Sequence, residues 1–252
     1  MLIQQTFNQL RELRLTGMVS ALELQLGQTD VQSLPFEDRL GMLVEAEVSA
    51  RNTKRMAKLV KDAKLKEPGA CIEGIDYDPA RRLDRSVINS LALGHWVEAG
   101  QHVIITGATG AGKSWMASAF GIQLCRQGKS VRYFRLSRLV EELTVAKGDG
   151  SLSRLRAQLA KASVIILDDW LMAPLDAGAA REVLELVDDR AGKNSLILTS
   201  QHPVTEWHDR IGEPTVADAL LDRIVHSAHR LEIRGESIRK RRGIKSTPAT
   251  TN

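Results

Sequence analysis

Residues 102–114 read HVIITGATGAGKS. The first five form a short, β-branched aliphatic run, too brief for a buried helix and suited to a buried strand. The remainder, GATGAGKS at 107–114, satisfies G-x-x-x-x-G-K-[ST], and it stands where the chemistry needs it, after a strand and opening a helix. Gly107, Gly110 and Gly112 let the backbone close around phosphate oxygens without Cβ clashes. The stretch Gly107, Ala108, Thr109, Gly110, Ala111, Gly112, Lys113, Ser114 and Trp115 is therefore expected to hold a nucleotide, with backbone N–H groups and a helix N-terminus facing the anion. Lys113 can reach the β- and γ-phosphates, and the Ser114 hydroxyl can ligate Mg²⁺. ATP and Mg²⁺ are the expected cofactors.

Downstream, residues 164–169 read VIILDD. Desolvated acids at the end of a buried strand are costly unless paired or bound to a cation. Asp168 is the expected outer ligand of the magnesium complex. Asp169 is placed to polarise an attacking water as general base. A further strand, SLILT at 195–199, ends in polar residues. Ser200 and Gln201 are both candidates to contact the γ-phosphate or its water.

Around these motifs, aliphatic runs alternate with helical stretches. The runs are 102–106, 131–134 (VRYF), 164–167, 195–199 and 230–233 (RLEI), and helices are expected at about 113–126, 137–147, 151–162, 177–191 and 215–228. The alternation predicts an α/β P-loop domain with a parallel five-stranded sheet covered by helices. It is preceded by a small all-helical region, in which Leu10, Leu13, Leu22, Leu26, Leu40, Leu43 and Val44 recur at three- and four-residue spacing. The expected divisions are a helical N-terminal DNA-binding and assembly domain at 1–67, a connector at 68–100, the ATPase domain at 101–243 and a disordered tail at 244–252. Within the connector a short helix fits 79–93, with Pro79 in its first turn.

The last helix of the N-terminal region, about 36–66, has a basic second half. Arg51, Lys54, Arg55, Lys58 and Lys61 share one face, and Lys64 and Lys66 follow. A cation stripe repels itself unless an anion lies alongside, and phosphate backbone is the natural one. Without stacking aromatics or a base-reading motif, this points to double-stranded DNA held without sequence preference.

Composition sets the wider limits. The 252 residues carry a formal net charge of +4 and only 4% aromatics, which permits nucleic-acid binding without proving it. Cys71 and Cys125 lack metal-ligand spacing and read as free thiols, and the six histidines read as structural. The N-terminus, MLIQQTFNQLRELRL, has no apolar core of the kind a signal peptide needs, and no uncharged run approaches the roughly 20 apolar residues of a membrane span. A cytoplasmic protein without membrane contact is expected.

The order of the parts then suggests a family. GATGAGKSWMA, VIILDDW, LILTSQHPVTEWHD, LLDRIVHSAHRLEI and GESIR together resemble the AAA+ ATPases, and within them the IstB-like helper ATPases of bacterial insertion sequences, relatives of DnaC-type helicase loaders. The resemblance covers about residues 1–245. It implies an ATPase that assembles as a homo-oligomer on duplex DNA, with ATP at subunit interfaces, and that recruits and stimulates a partner transposase. A DnaC-like replicative helicase loader is the alternative. It also implies that Arg223 is an arginine finger reaching a neighbour's ATP, with Arg230 the weaker candidate, and that Arg239 is a phosphate sensor within the subunit. Two positions depart from the pattern. Trp170-Leu171 stands where many relatives have Phe-Gly, which should alter packing, and Asp169 stands where many have Glu, which suggests slow basal hydrolysis.

Overall fold

The computed structural model of the chain describes residues 2–235, so Arg239 and the tail at 244–252 lie outside the described residues. Its helices are α1 (Leu2–Glu12), α2 (Thr16–Gly27), α3 (Thr29–Gln32), α4 (Phe36–Ala63), α5 (Arg85–Ala92) and α6 (His95–Glu98). There follow β1 (His102–Gly107), α7 (Lys113–Arg126), β2 (Val131–Arg135), α8 (Leu136–Asp149), α9 (Leu152–Ala160), β3 (Val164–Asp168), α10 (Ala177–Asp188), β4 (Ser195–Ser200), α11 (Pro214–Val225) and β5 (Ala228–Ile233). The chain divides into two compact units, Met1–Lys58 and the chain from Leu59 onward. The division falls inside α4, upstream of the Pro68-Gly69 break at which the sequence suggests a boundary. The reason is packing: Leu59, Val60 and Ala63 belong to the hydrophobic core of the second unit.

In the first unit α2 and α4 approach closely. A Cβ on Gly17 would strike the backbone of Ala46 and Glu47, so glycine is required there. The same approach delivers the buried Glu47 carboxylate to the N-terminus of α2, where it accepts from Gly17 N at 2.7 Å and Met18 N at 3.2 Å. Arg51 donates to its other oxygen at 2.7 Å. The Arg51 bond first, then the two amides, hold this carboxyl below its ordinary range against the opposing effect of burial.

The second unit is a five-stranded sheet of order β2-β3-β4-β1-β5, with every pair parallel. The pleat sends alternate residues to opposite faces. Ile104, Ile165, Leu167 and Leu198 enter one core with α8, α10 and α11. Val103, Ile105, Ile166 and Ile197 enter the other with α5 and α7. This double burial is why β1, β3 and β4 read as aliphatic runs, while the half-covered edge strands β2 and β5 include Arg132, His229, Arg230 and Glu232. The chain leaves β1 for the edge strand β2, then steps back through β3 and β4 to β1's side. The carboxyl ends of β1, β3 and β4 thus meet beside one crevice, where ligands of open α/β sheets bind.

The opposite end of the sheet is held by Arg190, which is fully buried. Its guanidinium donates to the carbonyls of Leu159, Ala162 and Ser195, each at 2.9 Å, tying α9 and β3 to β4. Burial pushes its pKa down to about 10. Beside it, buried His102 accepts from Leu196 N at 3.2 Å and is pushed down to about 4, chiefly by burial, so it is neutral.

Several expected helices are shorter in the structure, among them 151–162, observed as Leu152–Ala160, and 177–191, observed as Ala177–Asp188. The helix at 79–93 is two pieces, a 3-10 turn at Pro79–Arg81 and α5, because Arg82 is left-handed (φ 52°) and Asp84 caps a new start by accepting from Ser86 N. The helix at 215–228 ends at Val225, and β5 begins two residues before the expected strand, at Ala228. Among the described residues no helix is long and apolar enough to cross a membrane.

Candidate nucleotide site

The loop between β1 and α7 takes its shape from its glycines. Gly107 is at φ 150°, and a Cβ there would run into the Ile233 carbonyl oxygen of β5. Gly112, at φ 98°, caps α7 in the left-handed region, where a side chain would be strained. Lys113 lies buried under the loop, donating to Gly107 O at 2.8 Å and Ala108 O at 2.9 Å. Burial lowers its pKa, against the opposing pull of Asp168 and Asp169. Thr109 reaches across to β4's end and donates to Gln201 Oε1 at 2.6 Å.

Asp168 is the hub of the site. It is fully buried at the end of β3 and accepts from Ser114 Oγ at 2.8 and 2.9 Å, from Tyr133 OH at 2.5 Å, from Lys66 Nζ at 2.9 Å and from Thr199 Oγ1. Burial alone would raise its pKa. The bonds from Thr199, Tyr133, Lys66 and Ser114 together outweigh that and hold the carboxyl below its usual range, so it is an anion. Tyr133 shows the converse, since burial and then the Asp168 carboxylate push its phenol up and keep it protonated as a donor.

Asp169 follows with left-handed backbone (φ 56°), its N–H bonded to Thr199 Oγ1 at 3.2 Å and its carboxylate 3.5 Å from Arg135 Nε at the end of β2. The turn it opens is anchored by Arg210, which donates to Leu171 O at 2.7 Å and Met172 O at 2.8 Å. Trp170 is fully buried against Trp207, ring centroids 5.7 Å apart, a packing role as its departure from Phe suggests.

The residues expected at the site divide accordingly. Thr109, Gly110, Gly112, Lys113, Ser114, Trp115, Asp169 and Gln201 line one cleft of about 550 Å³, and Asp168 is buried behind Ser114, to which it is bonded. Ser200 does not join them. Its hydroxyl is buried, donates to Trp170 O at 2.9 Å and accepts from His202 N at 3.1 Å, because the pleat turns 200 away from the cleft. Thr199, which the sequence offers only as a strand end, is the β4 residue that touches Asp168. Arg223 lies on α11, outside the cleft, in an ion pair with Asp188 of α10. Arg230 is exposed on β5.

Arg51, Lys54, Arg55, Lys58 and Lys61 are all exposed on α4. Lys66 is not part of that surface stripe. The chain leaves α4 through left-handed Lys64 (φ 52°), Leu65 packs beside Gly121 and Ile166, and Lys66 is thereby aimed into the cleft. The connector is also more than a spacer. Gly74, Ile75 and Asp76 form a wall of the cleft, and Arg81, buried below the loop, bonds Ala111 O and sits 3.3 Å from Asp76. Trp115 faces Gly74 across this wall. Only tertiary structure exposes these contacts. The one clue in the sequence is the pleat: Tyr133 pairs with Ile166, so it shares a face with Asp168, but the sequence does not say that β2 lies beside β3.

Ser114 and Asp168 offer only oxygen donors, and in this structure they already attract an ammonium group, so they suit a hard divalent cation such as Mg²⁺. Loop, carboxylate strand and sheet order together define a P-loop ATP-binding domain of the AAA+ class. The chain belongs to the IstB-like ATP-binding protein family, whose model matches residues 8–246. An insertion sequence ATP-binding protein of Sinorhizobium fredii, y4pL, is 42% identical over 98% of this chain and 100% of its own length. The ATP-binding protein of insertion sequence IS1162 from Pseudomonas fluorescens is 48% identical over 81% of this chain and 88% of its own. A crystal structure of the DnaC helicase loader is similar in fold, with a TM-score of 0.52 and 16% identity, covering 66% of this chain and 97% of that one.

Proposed function

We propose that this chain is an ATP-hydrolysing helper for transposition that works in the cytoplasm. In this reading it assembles as a homo-oligomer on double-stranded DNA without sequence preference, with ATP at subunit interfaces, and recruits and stimulates a partner transposase. The observation that carries the hydrolytic part is the joined constellation of loop, Ser114–Asp168 pair, Asp169 and the Thr109–Gln201 bond. The loop amides and Lys113 bind the phosphates. Magnesium, when bound at Ser114 and Asp168, supplies positive charge against the β- and γ-phosphates. Asp169 holds a water in line and takes its proton, and Gln201 orients that water.

Arg223 supports an interface role because it stands outside its own cleft and is half-exposed. Leaving Asp188, its guanidinium could spread over the phosphates of a neighbouring subunit. Arg239 is proposed as the phosphate sensor within the subunit. The exposed cations of α4 support DNA contact through the phosphate backbone. The insertion-sequence relatives favour a transposition helper over a replicative helicase loader, for which the likeness is one of fold alone.

The test is ATP turnover with and without duplex DNA. Asp169→Ala should still bind ATP while turnover falls by about 10²-fold or more. Unchanged turnover would remove Asp169 as the general base, and no turnover in the unaltered chain would leave an ATP-binding switch in place of an ATPase.

A further inference from the structure

The ammonium of Lys66 lies 2.9 Å from Asp168 Oδ2 and 3.2 Å from Ser114 Oγ. Those are the two side chains assigned to magnesium. Mg²⁺ takes oxygen ligands at about 2.0–2.1 Å in near-octahedral order and keeps several waters, so whether Asp168 holds the ion directly or, as its outer ligand, through one of those waters, an ammonium on Ser114 Oγ and Asp168 Oδ2 stands where the ion or its water must go. The lysine and the metal ion therefore compete for the same oxygens.

We propose that Lys66 is a built-in counter-cation that closes the magnesium position and must be displaced by the incoming ion, so that it sets the site's magnesium requirement. This rests on the reading of Ser114 and Asp168 as the magnesium ligands. Two features distinguish the contact from a passing surface pair. Asp168 is fully buried, so a cation beside it is screened far less than at the surface. Leu65, packed beside Gly121 and Ile166, fixes the backbone from which Lys66 reaches. The remaining donors to Asp168, Thr199 and Tyr133, are neutral and hold the carboxylate without contesting the ion. Lys113 is turned to the loop carbonyls of Gly107 and Ala108, which leaves Lys66 as the cation in direct contact with Asp168 among the described residues.

Displacement has a mechanical consequence. Lys66 follows α4 by three residues and precedes the Gly74–Asp76 wall of the cleft. Arrival of magnesium thus perturbs the segment that runs from α4 to the nucleotide cleft. No covalent step is involved, and the side chain remains protonated as it leaves.

The experiment titrates free Mg²⁺ against a fixed, low concentration of a fluorescent ATP analogue and reads its anisotropy on the full chain. A competitor present in every molecule raises the half-saturating ion concentration by the reciprocal of the open fraction. Lys66→Met should therefore lower the magnesium midpoint by about threefold or more. Lys66→Gln, which keeps polarity without charge, should do the same, and Lys66→Arg should restore the wild-type midpoint. An unchanged or raised midpoint in both neutral variants, with wild-type binding clearly magnesium-dependent, overturns the proposal. Wild-type binding indifferent to magnesium would instead overturn the assignment of Ser114 and Asp168.

Discussion

Tyr133→Phe is the most informative single change at the site, because it deletes one oxygen and leaves the ring. The deleted atom donates to Asp168 Oδ2 at 2.5 Å, and Tyr133 is one of four side chains that hold this buried carboxylate. A hydrogen bond to a charged group contributes about 1.5–3 kcal/mol, at the upper end only if an acceptor is left stranded. Here Thr199, Ser114 and Lys66 still serve Asp168, so folding should lose only the low end of that range, about 1.5 kcal/mol. Magnesium–nucleotide binding should lose more, since the phenol fixes the orientation of the ligating carboxylate. Outer partners of metal ligands are worth about 10- to 100-fold in affinity, and the low end is expected because Thr199 still holds Asp168 once the ion has displaced Lys66. Binding of a fluorescent ATP analogue at saturating Mg²⁺, beside a thermal melt, separates the two effects. Affinity within twofold of wild type, with the fold intact, would refute the view that this network positions Asp168.

The same reasoning distinguishes neighbours on β4. Thr199→Val should weaken magnesium–nucleotide binding about tenfold, whereas Ser200→Ala should lower the melting temperature and leave nucleotide affinity unchanged, as binding isotherms on both will show. His102 predicts a pH effect. Its folded pKa is about 4 against an ordinary value of 6.5. The unfolded chain therefore binds the extra proton between those limits, and stability is full above pH 6.5 and lost as pH falls toward 4. Denaturant midpoints should show roughly 2 kcal/mol lost from pH 7 to pH 5, a slope flattened in His102→Asn. On α4, replacing Lys54, Arg55 and Lys58 with Ala should weaken duplex binding with ATP binding unaffected. The slope of log K against log salt should fall by about 0.9 for each DNA phosphate no longer neutralised.

The loop at 107–114 and the acids at 168–169 were legible because their chemistry is local: consecutive residues in one strand–turn unit fix the geometry. The inner strands β1, β3 and β4 were legible because both faces are buried, which leaves an aliphatic run, whereas the edge strands β2 and β5 carry charged residues such as Arg132 and Glu232. What escaped reading depends on which strand lies beside which. Tyr133 meets Asp168 only because β2 pairs with β3, and Thr199 rather than Ser200 touches it because of the phase of the pleat. Lys66 reads as one more cation in a basic stretch until the left-handed turn at Lys64 aims it inward. Arg81 and the 74–76 wall lie in a segment whose Pro and Gly content signals only irregular backbone. The break in the helix at 79–93 turned on a single left-handed residue, Arg82, for which the sequence carries no strong mark. The arginines proposed to act between subunits are the least legible of all, because on that proposal their partners lie on another copy of the chain.

If ATP drives this chain to assemble on duplex DNA, the mass of the protein on a short duplex must depend on the nucleotide. It should be measured with ATP, with ADP and without nucleotide, at low and high salt. A large assembly is expected with ATP alone, weakening steeply with salt and absent in Arg223→Ala. A monomer on duplex in the presence of ATP would contradict ATP-driven assembly.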